Sequence, residues 1–158
     1  MKQTIVEAQS AARILRHFLQ PNMFQIIAIA GRLGSGKTTL AKHLSRELDI
    51  QRLTLDDFLD EKCVGPNLRN VIDEVDRLAK SCLPVVIEGV GVLSTLKEIS
   101  YEYDLLVYIE RPCSKTEGLR DDFYTDNTIV EPAINIIGVY DDQDQARQLA
   151  NLIVIRSS

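Results

Sequence analysis

Tryptophan is absent from this 158-residue chain, and cysteine and histidine are scarce. The three cysteines, Cys63, Cys82 and Cys113, are scattered and lack the paired spacing of a metal site or a disulfide framework, so we expect reduced thiols. The two histidines, His17 and His43, fall in predicted helices with no acidic or cysteine cluster nearby in the sequence. We interpret both as structural or solvated, and we expect no histidine or cysteine metal site.

An excess of positive charge and a long apolar run are also missing. Lysine and arginine number 18 against 23 acidic residues, and the net charge of −5 argues against a broad nucleic-acid surface. No apolar stretch approaches the length of a membrane span, and the N-terminus lacks the layout of a signal peptide. We therefore expect a cytoplasmic protein without a nucleic-acid or membrane partner.

The length and composition suit one folded domain over residues 1–158. Hydrophobic residues make up 45% of the chain and charged residues 26%, which is ordinary for a globular protein with a sizeable core. The sequence shows no internal repeat, linker or low-complexity stretch.

The run Gly31–Thr38 is the most informative feature, because it fits the phosphate-binding pattern G-x-x-x-x-G-K-[ST] at every fixed position. The apolar run Phe24–Ala30 before it predicts a buried strand, and Lys37–Leu48 after it predicts a helix with one apolar stripe. Strand, glycine loop and helix N-terminus thus come in the order that anion binding requires. We predict binding of a nucleoside triphosphate through Gly31, Gly34, Ser35, Gly36, Lys37, Thr38 and Thr39, with Lys37 on the outer phosphates and Thr38 on magnesium.

Apolar and amphipathic segments alternate along the rest of the chain, which predicts an α/β fold with a parallel sheet of about five strands and helices on both faces. The predicted strands are Phe24–Ala30, Ile50–Leu55, Pro84–Glu88, Tyr103–Glu110 and Asn151–Ile155. The predicted helices are an N-terminal amphipathic helix within residues 1–20, spanning Ile5–Leu19, followed by Lys37–Leu48, Pro66–Lys80 and Asp142–Leu149.

Two predicted strands end on acidic residues, at the edge of a parallel sheet where ligands gather. Asp56 follows one strand, and Glu88 ends another just before Gly89, which lets the backbone leave the sheet sharply. A carboxylate near the outer phosphate can accept the proton of a hydroxyl or hold a metal-bound water. We assign the first role to Asp56 and the second to Glu88.

Several segments together resemble the uridine kinase-like branch of the P-loop kinases, which includes phosphoribulokinase and the bacterial type of pantothenate kinase. The phosphate loop alone indicates only phosphate binding, whereas the set of motifs points to this branch. The segments are the preceding amphipathic helix, Gly31–Ala41, Leu55–Phe58, Val86–Val90 and Ala150–Val154.

The resemblance implies a three-layer P-loop NTPase fold and transfer of a phosphoryl group from ATP with Mg²⁺. It implies that Asp56 is the base toward the acceptor hydroxyl, and that Thr38, Glu88 and Asp56 surround the magnesium ion. Family members also bring arginines from a lid helix, which falls here at about residues 111–127. Within that lid the resemblance assigns a catalytic role to Arg120.

We therefore expect a kinase that phosphorylates a hydroxyl of a small molecule, such as a nucleoside. A homodimer is compatible with a kinase of this size. Only seven residues, Leu59–Gly65, follow the D-x-F motif where uridine kinases carry a hairpin, and Leu59 replaces a common tyrosine. Both departures argue against uridine or cytidine as acceptor. Two alternatives stay open: a nucleotide-binding switch or accessory NTPase, and a nucleoside-monophosphate or shikimate kinase-like enzyme that uses Arg69 and Arg77.

Overall fold

A six-stranded, wholly parallel sheet forms the centre of the computed structural model, which describes residues 4–59, 66–111 and 145–156. The strands follow each other across the sheet in the order β1-β6-β5-β2-β4-β3. Their bounds are β1 Thr4–Glu7, β2 Ile26–Gly31, β3 Gln51–Thr54, β4 Val85–Glu88, β5 Leu105–Glu110 and β6 Leu152–Ile155.

Helices cover both faces of this sheet, as predicted. The first two helices pack on one face, whereas the third, the fourth and a short helical segment at residues 145–149 pack on the other. The bounds are α1 Ala8–Arg16, α2 Lys37–Leu48, α3 Leu68–Ala79 and α4 Val92–Glu98, with a 3₁₀ helix at Leu55–Phe58. The structure therefore confirms the three-layer α/β fold and adds α4, which the sequence pattern did not predict.

The central strand β2 is apolar throughout because both of its faces are covered. Ile27 and Ile29 pack toward α1 and α2, while Ile26 and Ala28 pack toward the helices on the opposite face. Each fully buried isoleucine contributes roughly 1.5–3 kcal/mol relative to an exposed one. These contacts hold β2 rigidly, and the phosphate loop starts from its end.

The prediction of a helix over Ile5–Leu19 is wrong at its beginning. Residues Thr4–Glu7 form strand β1, which pairs with β6 in parallel, and the helix starts only at Ala8. Three consecutive β-branched residues favour the extended state, and β6 offers an open edge, where the Thr4 N–H donates to the Asn151 carbonyl over 3.3 Å. The additional strand explains why the sheet has one strand more than expected.

The strand order places a topological switch at β2. From β2 the chain runs to β3 and β4 on one side, then crosses to β5 and β6 on the other. In open parallel sheets, ligands bind outside the carboxyl ends of the strands at such a switch. Among the residues described here, no helix is both long and apolar enough to cross a membrane.

Some predictions concern residues outside the described ranges. They include Arg120, the lid beyond Arg111 and the first three residues of the helix predicted at Asp142–Leu149. Cys63 and Cys113 also lie outside these ranges.

Candidate functional site

The glycine loop joins β2 to α2 in the geometry of an anion-binding loop. Gly36 is the N-cap of α2 with φ of 101°, a left-handed conformation that favours glycine. At the start of the loop, a Cβ atom on Gly31 would lie 2.7 Å from the Ser35 hydroxyl and 2.8 Å from the Ile109 carbonyl oxygen. Ser35 is buried and its hydroxyl has no hydrogen-bond partner in the described part of the chain. The loop therefore has no room for side chains at its base, and it holds a polar group in need of a partner.

Lys37 is buried against the loop that precedes it. Its Nζ donates to the carbonyl oxygens of Gly31, over 2.8 Å, and Arg32, over 3.0 Å. Burial lowers the pKa of Lys37 from 10.5, while the negative charges of Glu88 and Asp56 oppose that shift. Both predicted carboxylates are thus close enough to act on the ammonium group. A buried cation that is incompletely compensated favours binding of an anion at the loop.

Glu88 and Thr38 meet across the sheet edge. The Thr38 hydroxyl donates to Oε1 of Glu88 over 3.2 Å, and Glu88 is only 1% exposed. Mg²⁺ takes hard oxygen ligands, and in nucleotide sites it is bound by one or two carboxylates together with substrate phosphates. Within the described ranges, no group of three or more histidine, cysteine or acidic residues could hold a metal alone. The hydroxyl–carboxylate pair fits magnesium that shares its ligands with a nucleotide.

Asp56 lies at the same edge, in the 3₁₀ helix that follows β3. Leu55 is buried and approaches Gly89 so closely that a Cβ atom on the glycine would lie 2.7 Å from the Leu55 Cβ. This contact fixes the turn beside the end of β4, while the Asp56 side chain remains exposed. Lys37, Thr38, Asp56 and Glu88 therefore converge at one edge of the sheet, and their individual roles stay predictions.

The other predicted cations are distributed differently. Arg111 is exposed directly after β5, at the beginning of the predicted lid. Arg77, which the shikimate kinase-like alternative requires, is exposed on α3 and binds Glu74, with Nε 2.9 Å from Oε2. That ion pair is typical of a solvated helix face and gives no support to an acceptor-binding role.

A cleft beside the loop was missed from the sequence. It has a volume of about 380 Å³ and opens between α1, α2 and the end of β6. The Nε2 atom of His43 is buried there without a hydrogen-bond partner among the described residues, although the sequence had suggested only a structural or solvated histidine. The lining residues are Ala8, Gln9, Gly36, Thr39, Leu40, Lys42, His43, Arg46, Ile109 and Arg156.

Comparison with known proteins gives no match to a family model and no match to a curated protein. Among solved structures, one described as a possible uridine kinase from Bacillus stearothermophilus matches with a TM-score of 0.59 and 14% identity, over 92% of this chain and 98% of that one. A structure described as a putative fructose transport system kinase from Silicibacter sp. TM1040 matches with a TM-score of 0.54 and 16% identity, over 97% of this chain and 100% of that one.

This chain has the P-loop kinase fold. The resemblance to the uridine kinase-like branch, drawn from the motifs, is thereby confirmed at the level of fold. Identities of 14% and 16% show the fold alone and do not identify a substrate for this chain.

Proposed function

We propose that the protein is a Mg²⁺- and ATP-dependent kinase that transfers the γ-phosphoryl group to a hydroxyl of a small molecule. The observation that carries the proposal is the contact of 3.2 Å between the Thr38 hydroxyl and the buried Glu88 carboxylate, beside Lys37. A hydroxyl, a carboxylate and an ammonium group at one loop are the groups that phosphoryl transfer needs for positioning and charge neutralisation.

Each residue has a role that its position supports. The loop N–H groups and Lys37 bind phosphate oxygens, and Thr38 and Glu88 hold magnesium, which when bound neutralises charge on the phosphates. Asp56 orients the acceptor hydroxyl and accepts its proton. The acceptor oxygen forms a bond to the γ-phosphorus while the bond to the bridging oxygen of ADP breaks, so ADP leaves with that electron pair.

The end of the Asp56 turn contacts the residues just before α3. Leu59 and Pro66 pair in an antiparallel bridge, and the Asn67 N–H donates to the Phe58 carbonyl over 2.7 Å. These contacts bring the start of α3 back to the end of the Asp56 turn. The proposed partner is a small alcohol, and a homodimer remains a prediction.

The test measures ADP release from MgATP in the presence of nucleosides, sugars and pantothenate-like alcohols. With the acceptor that gives activity, Asp56→Asn is expected to reduce kcat by at least about a hundredfold, the lower range for a general base. ATP should still bind, because the phosphate loop and Lys37 are unchanged in this variant. Asp57→Asn is the matched control, since Asp57 is equally exposed in the same turn.

Two results would contradict the proposal. Full activity of the Asp56→Asn variant would exclude Asp56 as the base. ATP hydrolysis without any acceptor, unchanged across the whole panel, would instead indicate the nucleotide-dependent switch.

A further inference from the structure

The guanidinium group of Arg156 lies directly against the phosphate loop. A Cβ atom on Gly36 would be 2.9 Å from Nη1 of Arg156 and 3.6 Å from its Cζ, so the group rests on the glycine backbone. Arg156 follows the last residue of β6, and its N–H donates to the Glu110 carbonyl over 2.9 Å. The sheet therefore fixes the backbone from which this side chain reaches the loop.

Nothing in the described part of the chain neutralises this cation. Its side chain is half-buried and forms no hydrogen bond or ion pair with the residues described. The carboxylate nearest along the paired strand, on Glu110, is engaged by Arg147. A half-buried guanidinium without a partner among the described residues, next to the glycine loop that begins α2, is arranged to receive an anion.

The position of Arg156 indicates which phosphates of a bound nucleotide would lie beside it. Lys37 lies near Glu88 and Asp56, on the side of the loop where β4 and β3 end. Arg156 lies on the opposite side, where β5 and β6 end, at the mouth of the cleft that also includes His43. In the proposed reaction the phosphoryl group is transferred beside Asp56, on the first side, so a phosphate beside Arg156 is one that stays with the nucleotide.

We propose that Arg156 binds the phosphates of the nucleotide that are not transferred, and that it determines nucleotide affinity without taking part in the chemical step. This inference rests on the proposed function. A planar guanidinium makes two parallel hydrogen bonds to phosphate oxygens. The phosphates that are not transferred occur in both ATP and ADP, so the interaction is present with both nucleotides. It contributes equally to the ground state and the transition state, and therefore changes KM and not kcat.

The test is calorimetric titration of the full chain with MgADP and with tripolyphosphate, a probe that lacks base and sugar. Arg156→Gln is expected to weaken both by about 10- to 100-fold, since a hydrogen bond to a charged group is lost. Arg156→Lys retains the positive charge but lacks the planar guanidinium, so its affinity for each probe should lie between those of the wild type and Arg156→Gln. The control is Arg13→Gln, which removes the same charge from an exposed position on α1. With the acceptor identified, KM for ATP should rise while kcat stays within about twofold.

Three results would overturn the inference. Wild-type affinity of Arg156→Gln for both probes would show that the guanidinium binds no phosphate. A loss of affinity for MgADP alone would place the contact on the base or sugar, and an equal fall in kcat would place Arg156 in the transfer step.

Failure of the wild-type chain to bind either probe would instead contradict the proposed function. Failure of the inference and failure of the proposed function are thus distinguishable. Equal thermal midpoints of wild type and variants confirm that folding is unchanged.

Discussion

Replacement of Gly89 by alanine tests how the sheet edge that carries Asp56 and Glu88 is held together. Gly89 has φ of 143°, and an alanine in this region is strained by about 1–3 kcal/mol. The added Cβ would lie 2.7 Å from the Cβ of Leu55 and 3.3 Å from its backbone nitrogen, both in buried surroundings. Overpacking of this kind destabilises the folded state by about 1–3 kcal/mol more. We expect the free energy of unfolding to fall by about 2–6 kcal/mol.

Gly34→Ala provides the matched control. Gly34 also has a positive φ, 73°, but no neighbouring atom of the described residues lies within 4 Å of the position of its Cβ. Its replacement should therefore cost backbone strain alone, about 1–2 kcal/mol. Urea unfolding followed by circular dichroism gives both values, and an unchanged m-value would show that the unfolded states are comparable.

The result that would refute the reasoning is equal destabilisation by the two replacements. It would mean that the contact between Gly89 and Leu55 is not tight. If the contact is tight, displacement of Leu55 moves Asp56 as well, so Gly89→Ala should lower kcat under conditions where the variant is still folded.

Two further predictions concern the buried charges at the loop. Because burial lowers the pKa of Lys37, the native lysine releases its proton at a lower pH than the unfolded one. The free energy of unfolding of the wild type should therefore rise relative to that of Lys37→Met as pH increases between the lowered pKa and 10.5, and Lys37→Met should weaken ATP binding. Glu88→Gln should raise the Mg²⁺ concentration for half-maximal activity by about 10- to 100-fold, because a ligand charge is lost.

Each of these has its own control. Unfolding curves for Lys37→Met over this pH range are compared with those for Lys42→Met, an exposed lysine on the same helix, and a difference from wild type that does not change with pH would contradict the lowered pKa of Lys37. Glu74→Gln removes a half-buried carboxylate on α3, which pairs with Arg77, and should leave the Mg²⁺ dependence unchanged. An unaltered Mg²⁺ requirement in Glu88→Gln would exclude Glu88 from the metal site.

The buried strands and the glycine loop could be predicted from the sequence because their signals are local. An apolar run covered on both faces, as in Ile26–Gly31, and a glycine where a side chain would collide leave few alternatives. The edge strand Thr4–Glu7 could not be recognised, because its conformation depends on pairing with Leu152–Ile155 at the far end of the chain. Four residues with three exposed side chains carry too weak a pattern by themselves.

Within the site, the acidic residues could be predicted because they follow the carboxyl ends of two strands, but the other strand ends were not considered. Asp56 and Glu88 were selected because ligands gather at the carboxyl ends of parallel strands. The same rule applied to the last strand would have selected Arg156. The burial of His43 depends on how α1 lies over α2, and no spacing within α2 reveals it.

The parallel pairing of Thr4–Glu7 with Leu152–Ile155 also orders events during synthesis. The ribosome makes β1 first, but its partner strand emerges only after the phosphate loop, the Asp56 turn and β5 have been translated. A pairing so distant along the chain closes slowly, because the entropy of loop closure is lost before the contacts form. Until then β1 remains an unpaired segment, and the backbone that carries Arg156 has not yet joined the sheet. We therefore expect the contact of Arg156 with the phosphate loop, and with it the nucleotide affinity that we propose for this residue, to arise last, when the two distant segments meet.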